Sequence, residues 1–315
     1  MKEIGGFFGL EQLISNEYYK NLIPLNTGRS ALLYLLRGKN INRIYIPFYL
    51  HDSVSEMLKN NSYDFGFYNI DSNFFPLFNR FLKNDEYIFI VNYFGQLTNR
   101  IILKLKQQFH RIIVDNVQAF FQKPLDGIDT IYSCRKFFGV PDGSYLSTNI
   151  SLDKKIKTDF SGNRMIHLLG RYEHSAYDFY NDFIKIEKLI DHRGLKYMSK
   201  LTHNILGAVD YNRISRIRNK NYHYLDKIFK QQNQLRLVTP DGPFAYPLYK
   251  ENGIEIRKKL AEKRIYIPTL WPNVLRDCKK NTIEYQYAAN ILPLPCDQRY
   301  REEDLAIMCN ELSSY

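Results

Sequence analysis

The sequence predicts an α/β fold in which helices sandwich a mainly parallel central sheet. Short apolar runs at 43–47, 86–91 and 111–115 have the length and composition of buried strands. They alternate with amphipathic segments such as 98–109, whose apolar side chains recur at helical spacing. Strands that alternate with helices of this length form crossover units, and crossover units build parallel sheets. We assign this large α/β domain to residues 1–150.

The pattern changes near residue 150, where the polar segment 151–163 predicts a boundary. The elements expected beyond it are, in chain order, helices at 171–190 and 195–232, a strand at 244–250, a helix at 254–263 and a strand at 264–271. Two further segments, 281–296 and 302–314, complete the pattern. Residues 151–315 are therefore predicted to form a helical linker and a smaller C-terminal α+β domain.

The composition is that of a globular protein with a basic surface. Of the 315 residues 44% are hydrophobic and 24% are charged, and 44 Lys and Arg against 33 Asp and Glu give a net charge of +11. The basic residues are scattered, and the densest groups, at 213–220 and 257–264, are interpreted as exposed helix faces. We therefore expect no nucleic-acid partner, whereas a small anionic substrate would suit such a surface.

Cysteine spacing and hydrophobic patterning exclude several other classes. The four cysteines show no metal-type spacing, so no metal site is predicted. The N-terminal segment lacks the basic and apolar regions of a signal peptide, and no apolar run approaches the roughly 20 residues that span a bilayer. We expect a cytoplasmic protein without membrane insertion.

Lys136 is the first candidate for catalysis. It follows Ser133 at the end of the short strand 127–133 and precedes the turn-rich segment 138–144. This position corresponds to the carboxyl edge of a sheet, where open α/β folds bind their ligands. A partly desolvated lysine can lose its proton there and form a Schiff base with a carbonyl. The alternative is a solvated surface charge, which is the commoner state of lysine.

Two further stretches carry side chains suited to ligand binding. Asp115 ends the apolar strand 111–115, and a carboxylate there either caps the following turn or pairs with a protonated ring nitrogen of a ligand. Gln118 could reach the same ligand. Gly28 follows Asn26 and Thr27 at the start of a helix, which indicates either a phosphate site or a simple N-cap.

Taken together and in order, several stretches resemble the DegT/StrS-type sugar aminotransferases, which have the fold type I of pyridoxal phosphate (PLP)-dependent transferases. The matching segments are TGRSAL, VNYFG, VDNVQAFF, KFFGVPDGS and YAANILPLP. The resemblance implies PLP as the cofactor and Lys136 as its Schiff-base lysine. It also implies that Asp115 pairs with the pyridine nitrogen and that Gln118 contacts the ring hydroxyl.

The same resemblance extends to other cofactor-binding positions. It implies that the backbone of Gly28 and Arg29 meets the phosphate, and that Ser133 binds the phosphate as well. His51 falls where the family places an aromatic residue or a histidine stacked on the ring. Segment 194–200 lacks the asparagine and arginine that family members carry across their dimer interface, so no residue is assigned there.

The implied reaction moves an amino group from an amino acid, with glutamate expected, to a nucleotide-linked keto-sugar in surface-polysaccharide biosynthesis. The resemblance further implies a homodimer. Two alternatives remain open. The Ser-x-x-Lys spacing allows another PLP reaction on an amino acid, and the short chain allows a non-catalytic relative used for binding or assembly. The joint presence of Lys136, Asp115 and Gln118 favours an enzyme. Tyr93, Tyr246 and Trp271 are either core residues or substrate contacts.

Overall fold

The computed structural model describes residues 4–153, 155–191 and 193–315. The strands are β1 (Ile23–Leu25), β2 (Arg43–Pro47), β3 (Asp64–Ile70), β4 (Pro76–Leu77), β5 (Glu86–Val91), β6 (Ile112–Asp115), β7 (Asp129–Ser133), β8 (Ser144–Ser147), β9 (Tyr246–Tyr249) and β10 (Ile291–Leu294). The α-helices are α1 (Gly28–Gly38), α2 (Asp52–Asn60), α3 (Asn99–Phe109), α4 (Ile166–Glu173), α5 (Tyr180–Asp191), α6 (Lys200–Gly207), α7 (Tyr211–Phe229), α8 (Gly253–Glu262), α9 (Pro272–Asp277), α10 (Ile283–Asn290) and α11 (Glu302–Leu312).

Strands β1 to β8 form one sheet in the order β1-β8-β7-β6-β5-β2-β3-β4. The central strands β3, β2, β5, β6 and β7 run parallel to one another. The edge strands β4, β8 and β1 are antiparallel to their neighbours. The predicted α/β architecture with a mainly parallel sheet is confirmed. Because parallel strands end at the same edge, the carboxyl ends of β2, β5, β6 and β7 lie along one side of the sheet.

The core of the sheet follows from its apolar strands and from the first helix. Nearly every side chain of β2, β5, β6 and β7 is buried, as expected for strands covered on both faces. Helix α1 is buried continuously from Ser30 to Leu36 and contacts β7 and β8. Burial on this scale places α1 in the interior, with its N-terminal end next to the carboxyl ends of β6 and β7.

The C-terminal part of the chain contains a second sheet, in which β9 and β10 are antiparallel. Their buried side chains pack with those of α7, α8 and α11 in a separate apolar cluster. The division into residues 1–150 and 151–315 stays a prediction. No α-helix in the described ranges is both long and apolar enough to cross a membrane.

Each of the two long predicted helices is interrupted in the structure. The segment 171–190 contains the end of α4 and most of α5, and 195–232 contains α6 and α7. In the second case capping explains the break. Ser199 accepts a hydrogen bond from the Thr202 N–H at 3.2 Å, and Asp210 accepts one from the Arg213 N–H at 2.9 Å. Each cap starts a new helix because it satisfies N–H groups that lack an intrahelical partner.

Two other sequence-based expectations were wrong. Segment 264–271 is not a strand: Ile267 and Trp271 are instead buried in two different apolar clusters. The basic groups at 213–220 and 257–264 are also not wholly exposed, because Arg218 is only 2% exposed and Arg257 only 6%. Both guanidinium groups donate hydrogen bonds to backbone carbonyl oxygens, which compensates part of the cost of burial.

Candidate functional site

The candidate site lies at the carboxyl ends of the neighbouring strands β6 and β7. Asp115 is the last residue of β6 and pairs with Ile131 of β7 in the ladder. Two residues later β7 ends at Ser133, whose backbone pairs with Ser144 of β8. The segment between β7 and β8 carries Lys136. The topology therefore brings the predicted Lys136 and Asp115 to the same edge of the sheet.

Lys136 is held on a tight turn. The N–H groups of Phe137 and Phe138 both donate to the carbonyl oxygen of Cys134, at 3.0 and 2.9 Å. The Nζ atom lies 5.4 Å from the centroid of the Phe244 ring. The side chain is open to solvent, yet the surrounding protein lowers the pKa of Lys136, with Asp115 acting in the opposite direction. Desolvation by the surrounding protein is the largest cause of the lowered pKa.

Asp115 is a buried carboxylate with one fixed hydrogen bond. The side chain is 5% exposed, and Oδ1 accepts a hydrogen bond from the Val117 N–H at 2.9 Å. Burial raises the pKa of Asp115 to about 6, while the Val117 hydrogen bond and the Lys136 charge lower it. Asp115 thus caps the turn that follows it, which is the first of the two alternatives predicted for this residue. This capping occupies only one carboxylate oxygen, so it is compatible with pairing to a ligand cation.

Gln118 carries a buried donor that lacks a partner. The side chain is 1% exposed, and its Oε1 accepts a hydrogen bond from the Phe94 N–H at 2.8 Å. Its Nε2 is buried without a hydrogen-bond partner among the described residues. An unsatisfied buried amide group costs roughly 1–3 kcal/mol, so such a group calls for an explanation. An acceptor oxygen on a ligand would satisfy it.

Helix α1 begins beside the loop that follows Asp115. Thr27 is its N-cap and accepts a hydrogen bond from the Ser30 N–H at 3.1 Å. A methyl group added to Gly28 would lie 3.6 Å from Val117 and 3.7 Å from Ile131. The positive end of the α1 dipole therefore lies next to the candidate site, where it would favour an anionic group.

The other predicted phosphate and ring contacts are less closely joined to this centre. Arg29 lines a groove of about 260 Å³ whose other walls include α2, Ile190 and Leu195, and this groove does not include Lys136 or Asp115. His51 lies at the same sheet edge and is itself the N-cap of α2. Its Nδ1 accepts a hydrogen bond from the Ser53 N–H at 3.1 Å. Ser133 is half-buried at the end of β7.

The segment that follows Lys136 is anchored to two helices. Asp142 is 1% exposed, and its carboxylate accepts hydrogen bonds from the N–H and hydroxyl of Ser199 at 2.9 and 2.8 Å. The Gly143 N–H donates to the carbonyl oxygen of Asn26 at 2.7 Å. The starts of α1 and α6 are thereby fixed to the segment that carries Lys136.

Three aromatic residues with an open assignment lie in the core. Tyr93 is 1% exposed, Tyr246 is 0% exposed and Trp271 is 7% exposed. The Tyr93 hydroxyl donates to the carbonyl oxygen of Tyr49 at 2.7 Å, so its polar atom is already used. These contacts favour the core alternative for all three.

The structure also shows site neighbours that sequence reasoning missed. Arg135 forms an ion pair with Glu187 of α5, and both charges act on Lys136. Arg218 and Gln298 bind the backbone next to Lys136 from the C-terminal part of the chain. The sequence could have indicated Arg135 as a site neighbour, because it immediately precedes Lys136. Arg218 had none, since it stands in a group of basic residues typical of a solvated helix face.

The sequence matches no protein-family model and no curated protein, so the findings come from solved structures. The structure of a DegT DnrJ EryC1 StrS aminotransferase from Brucella abortus matches with a TM-score of 0.62 at 14% identity, over 93% of this chain and 85% of that one. A sugar aminotransferase of Micromonospora echinospora matches with a TM-score of 0.60 at 12% identity, over 93% and 87%.

A third structure contains a cofactor. The protein NtdA of Bacillus subtilis, solved with bound cofactor PMP, matches with a TM-score of 0.65 at 13% identity, over 95% of this chain and 73% of that one. At such identities the comparisons establish the fold. The predicted resemblance to the DegT/StrS-type aminotransferases is therefore confirmed at the level of the fold, and the chain has the architecture of fold type I PLP-dependent transferases.

Proposed function

We propose that this protein is a PLP-dependent aminotransferase that moves an amino group from an amino acid, with glutamate expected, to a nucleotide-linked keto-sugar. The observation that carries the proposal is the convergence of Lys136, Asp115 and the unpartnered amide of Gln118 beside the start of α1. The fold adds support, because solved sugar aminotransferases share it. A cytoplasmic role in surface-polysaccharide biosynthesis is part of the proposal.

The residues present fit PLP. The buried Nε2 of Gln118 needs an acceptor, and the ring hydroxyl would supply one. The Asp115 carboxylate would pair with the ring nitrogen. The start of α1 at Gly28 suits the phosphate, with Arg29 and Ser133 as the further phosphate contacts. His51, at the same sheet edge, is the proposed ring contact.

When bound, PLP supplies an electron sink for deprotonation at the carbon that bears the amino group. The protein side chains would do the rest. Asp115, whose pKa is about 6, is mostly ionised at neutral pH and can hold the ring nitrogen in its protonated form. Lys136, whose pKa is lowered by the surrounding protein, can give up its proton and then act as the base at Nζ.

We further propose that the protein acts as a homodimer. Exposed apolar side chains are frequent in two parts of the chain: residues 4–14, and α4, α5 and their flanks, where Leu169 is 55% exposed, Tyr172 92% and Tyr177 79%. Such concentrations on a globular protein typically mark an interaction surface. A second copy of this chain is the proposed partner.

The proposal is tested by the donor half of the reaction. Purified protein loaded with PLP and mixed with L-glutamate should release 2-oxoglutarate in an amount equal to the sites, and Lys136→Ala should release none. A nucleotide-linked keto-sugar should then convert the reaction from one turnover to many. If an amino acid is converted to a product other than its 2-oxo acid, the result would favour another PLP reaction. Absence of any reaction with all amino acids tried would favour the non-catalytic alternative.

A further inference from the structure

The backbone next to Lys136 is held by two side chains from the C-terminal part of the chain. The carbonyl oxygen of Phe137 accepts a hydrogen bond from Nε2 of Gln298 at 2.8 Å and another from Nη2 of Arg218 at 3.3 Å. Arg218 belongs to α7, and Gln298 follows β10. Neither residue is near Lys136 in sequence.

Arg218 also binds the backbone of the segment that carries the aromatic ring beside Lys136. Its Nη1 donates to the carbonyl oxygen of Pro243 at 2.8 Å, and a weaker contact of 3.5 Å reaches the carbonyl oxygen of Phe244. The Phe244 ring lies 5.4 Å from the Lys136 Nζ. One guanidinium group thus fixes both the backbone that follows the lysine and the segment that carries its aromatic neighbour.

Arg218 and Gln298 form one unit. Nε of Arg218 donates to Oε1 of Gln298 at 2.9 Å, and this bond orients the amide so that its NH₂ group points to Phe137. The guanidinium carbon lies 4.6 Å from the centroid of the Phe137 ring. The planar guanidinium, with its fixed donor directions, is well suited to such a restraint.

This arrangement is costly for stability alone. Arg218 is 2% exposed, and among the described residues every hydrogen-bond acceptor that it reaches is neutral. The nearby Asp297 is engaged with Arg299, at 2.7 and 2.8 Å. A buried cation without a paired carboxylate carries a large desolvation cost, and an apolar side chain would avoid it.

We propose that Arg218 and Gln298 are positioning residues that fix the orientation of Lys136 and of the Phe244 ring beside it. They act through the Phe137 carbonyl group and the 243–244 backbone, not by touching the substrate. The geometric part of this inference concerns the protein itself. Its consequence for catalysis rests on the proposed aminotransferase function, because a displaced lysine would reach the reacting carbon poorly.

The test measures Lys136 directly, in full-length protein freed of any carbonyl ligand with hydroxylamine. The protein is pulsed with acetic anhydride across a pH series, and acetylation of Lys136 is followed by peptide mass spectrometry against the exposed Lys104. In Gln298→Leu and Arg218→Lys the midpoint pH of Lys136 acetylation should rise by about half a unit, a roughly threefold change in its proton equilibrium. A looser turn reduces the desolvation that lowers the pKa of Lys136, and less desolvation favours the charged form of the amine.

Arg257→Lys is the matched control, since Arg257 is also a buried arginine, and its hydrogen bonds go to the carbonyl oxygens of Ala289 and Ile291 instead of the backbone beside Lys136. The inference is overturned if the Lys136 midpoint in both test variants stays at the wild-type value, or if Arg257→Lys moves it equally. A shifted midpoint in proteins that never transfer an amino group would uphold the positioning role and reject the proposed function. If Arg218→Lys fails to fold, Gln298→Leu decides.

Discussion

At the scale of single residues, the burial that suits Asp115 to a cationic ligand also lowers the stability of the folded protein at neutral pH. The folded protein binds its proton more tightly than the unfolded chain does, because burial raises the pKa of Asp115 from 3.8 to about 6. As the pH rises through this interval, the folded state loses stability relative to the unfolded state. At pH 7 the loss is of the order of 2 to 3 kcal/mol. The cost is consistent with a site kept for a cationic ligand.

Asp115→Asn should therefore raise the free energy of unfolding of the cofactor-free protein at pH 7, while its activity falls by at least about 100-fold. The amide can still accept the hydrogen bond from the Val117 N–H, but it cannot hold a positive ring nitrogen. Urea unfolding between pH 4 and 7 measures the stability difference, which should vanish towards pH 4. Asp64→Asn, at an exposed position, is the control. Equal stability of Asp115→Asn and wild type at pH 7 would contradict the raised pKa.

At the scale of elements, the turn between β7 and β8 connects Lys136 to the helices around it. Gly143 has a φ of +119°, in the region that favours glycine. A Cβ atom there would lie 3.0 Å from Cγ2 of Thr202 and 3.1 Å from Cβ of Cys134. Backbone conformation and close packing thus both require glycine at this position.

Gly143→Ala should lower the free energy of unfolding by about 1–3 kcal/mol and reduce the affinity for PLP, because the strain is relieved only by moving the turn that bears Lys136. Gly139→Ala, in the same segment, is the matched control: its added Cβ atom meets nothing within 4 Å. Urea unfolding and a PLP titration measure the two effects. Similar losses in both variants would show that the conformation of Gly143 is not the cause.

The elements also show why sequence patterns predicted some features and missed others. Apolar runs located β2, β5, β6 and β7, and Asp115 and Lys136 were recognisable because each stands where such a run ends. The starts of α6 and α7 were missed because a Ser or Asp inside an amphipathic segment does not reveal from sequence alone whether it caps a helix or lies within one. The restraint by Arg218 was also missed, since its acceptors lie far away in sequence and periodicity carries only local information.

At the scale of the whole molecule, the exposed apolar side chains of α4 and α5 form the proposed dimer surface. Leu169→Asp should convert the proposed dimer to a monomer, because a carboxylate in an apolar interface loses its hydration without gaining a partner. Sedimentation velocity measures the change. Leu103→Asp is the control, since Leu103 is 46% exposed and belongs to α3, outside α4 and α5. A wild-type protein that is monomeric at all concentrations would reject the proposed homodimer.

The proposed function as a whole depends on a Schiff-base lysine in a confirmed fold, and the absorption spectrum of the purified protein with PLP tests it most directly. The wild type should show a visible band that glutamate shifts, and Lys104→Ala should behave in the same way. Lys136→Ala should lack that band. A band of equal strength in Lys136→Ala would contradict the assignment of Lys136. The absence of a band from the wild type would contradict the enzyme itself and leave a fold retained for binding.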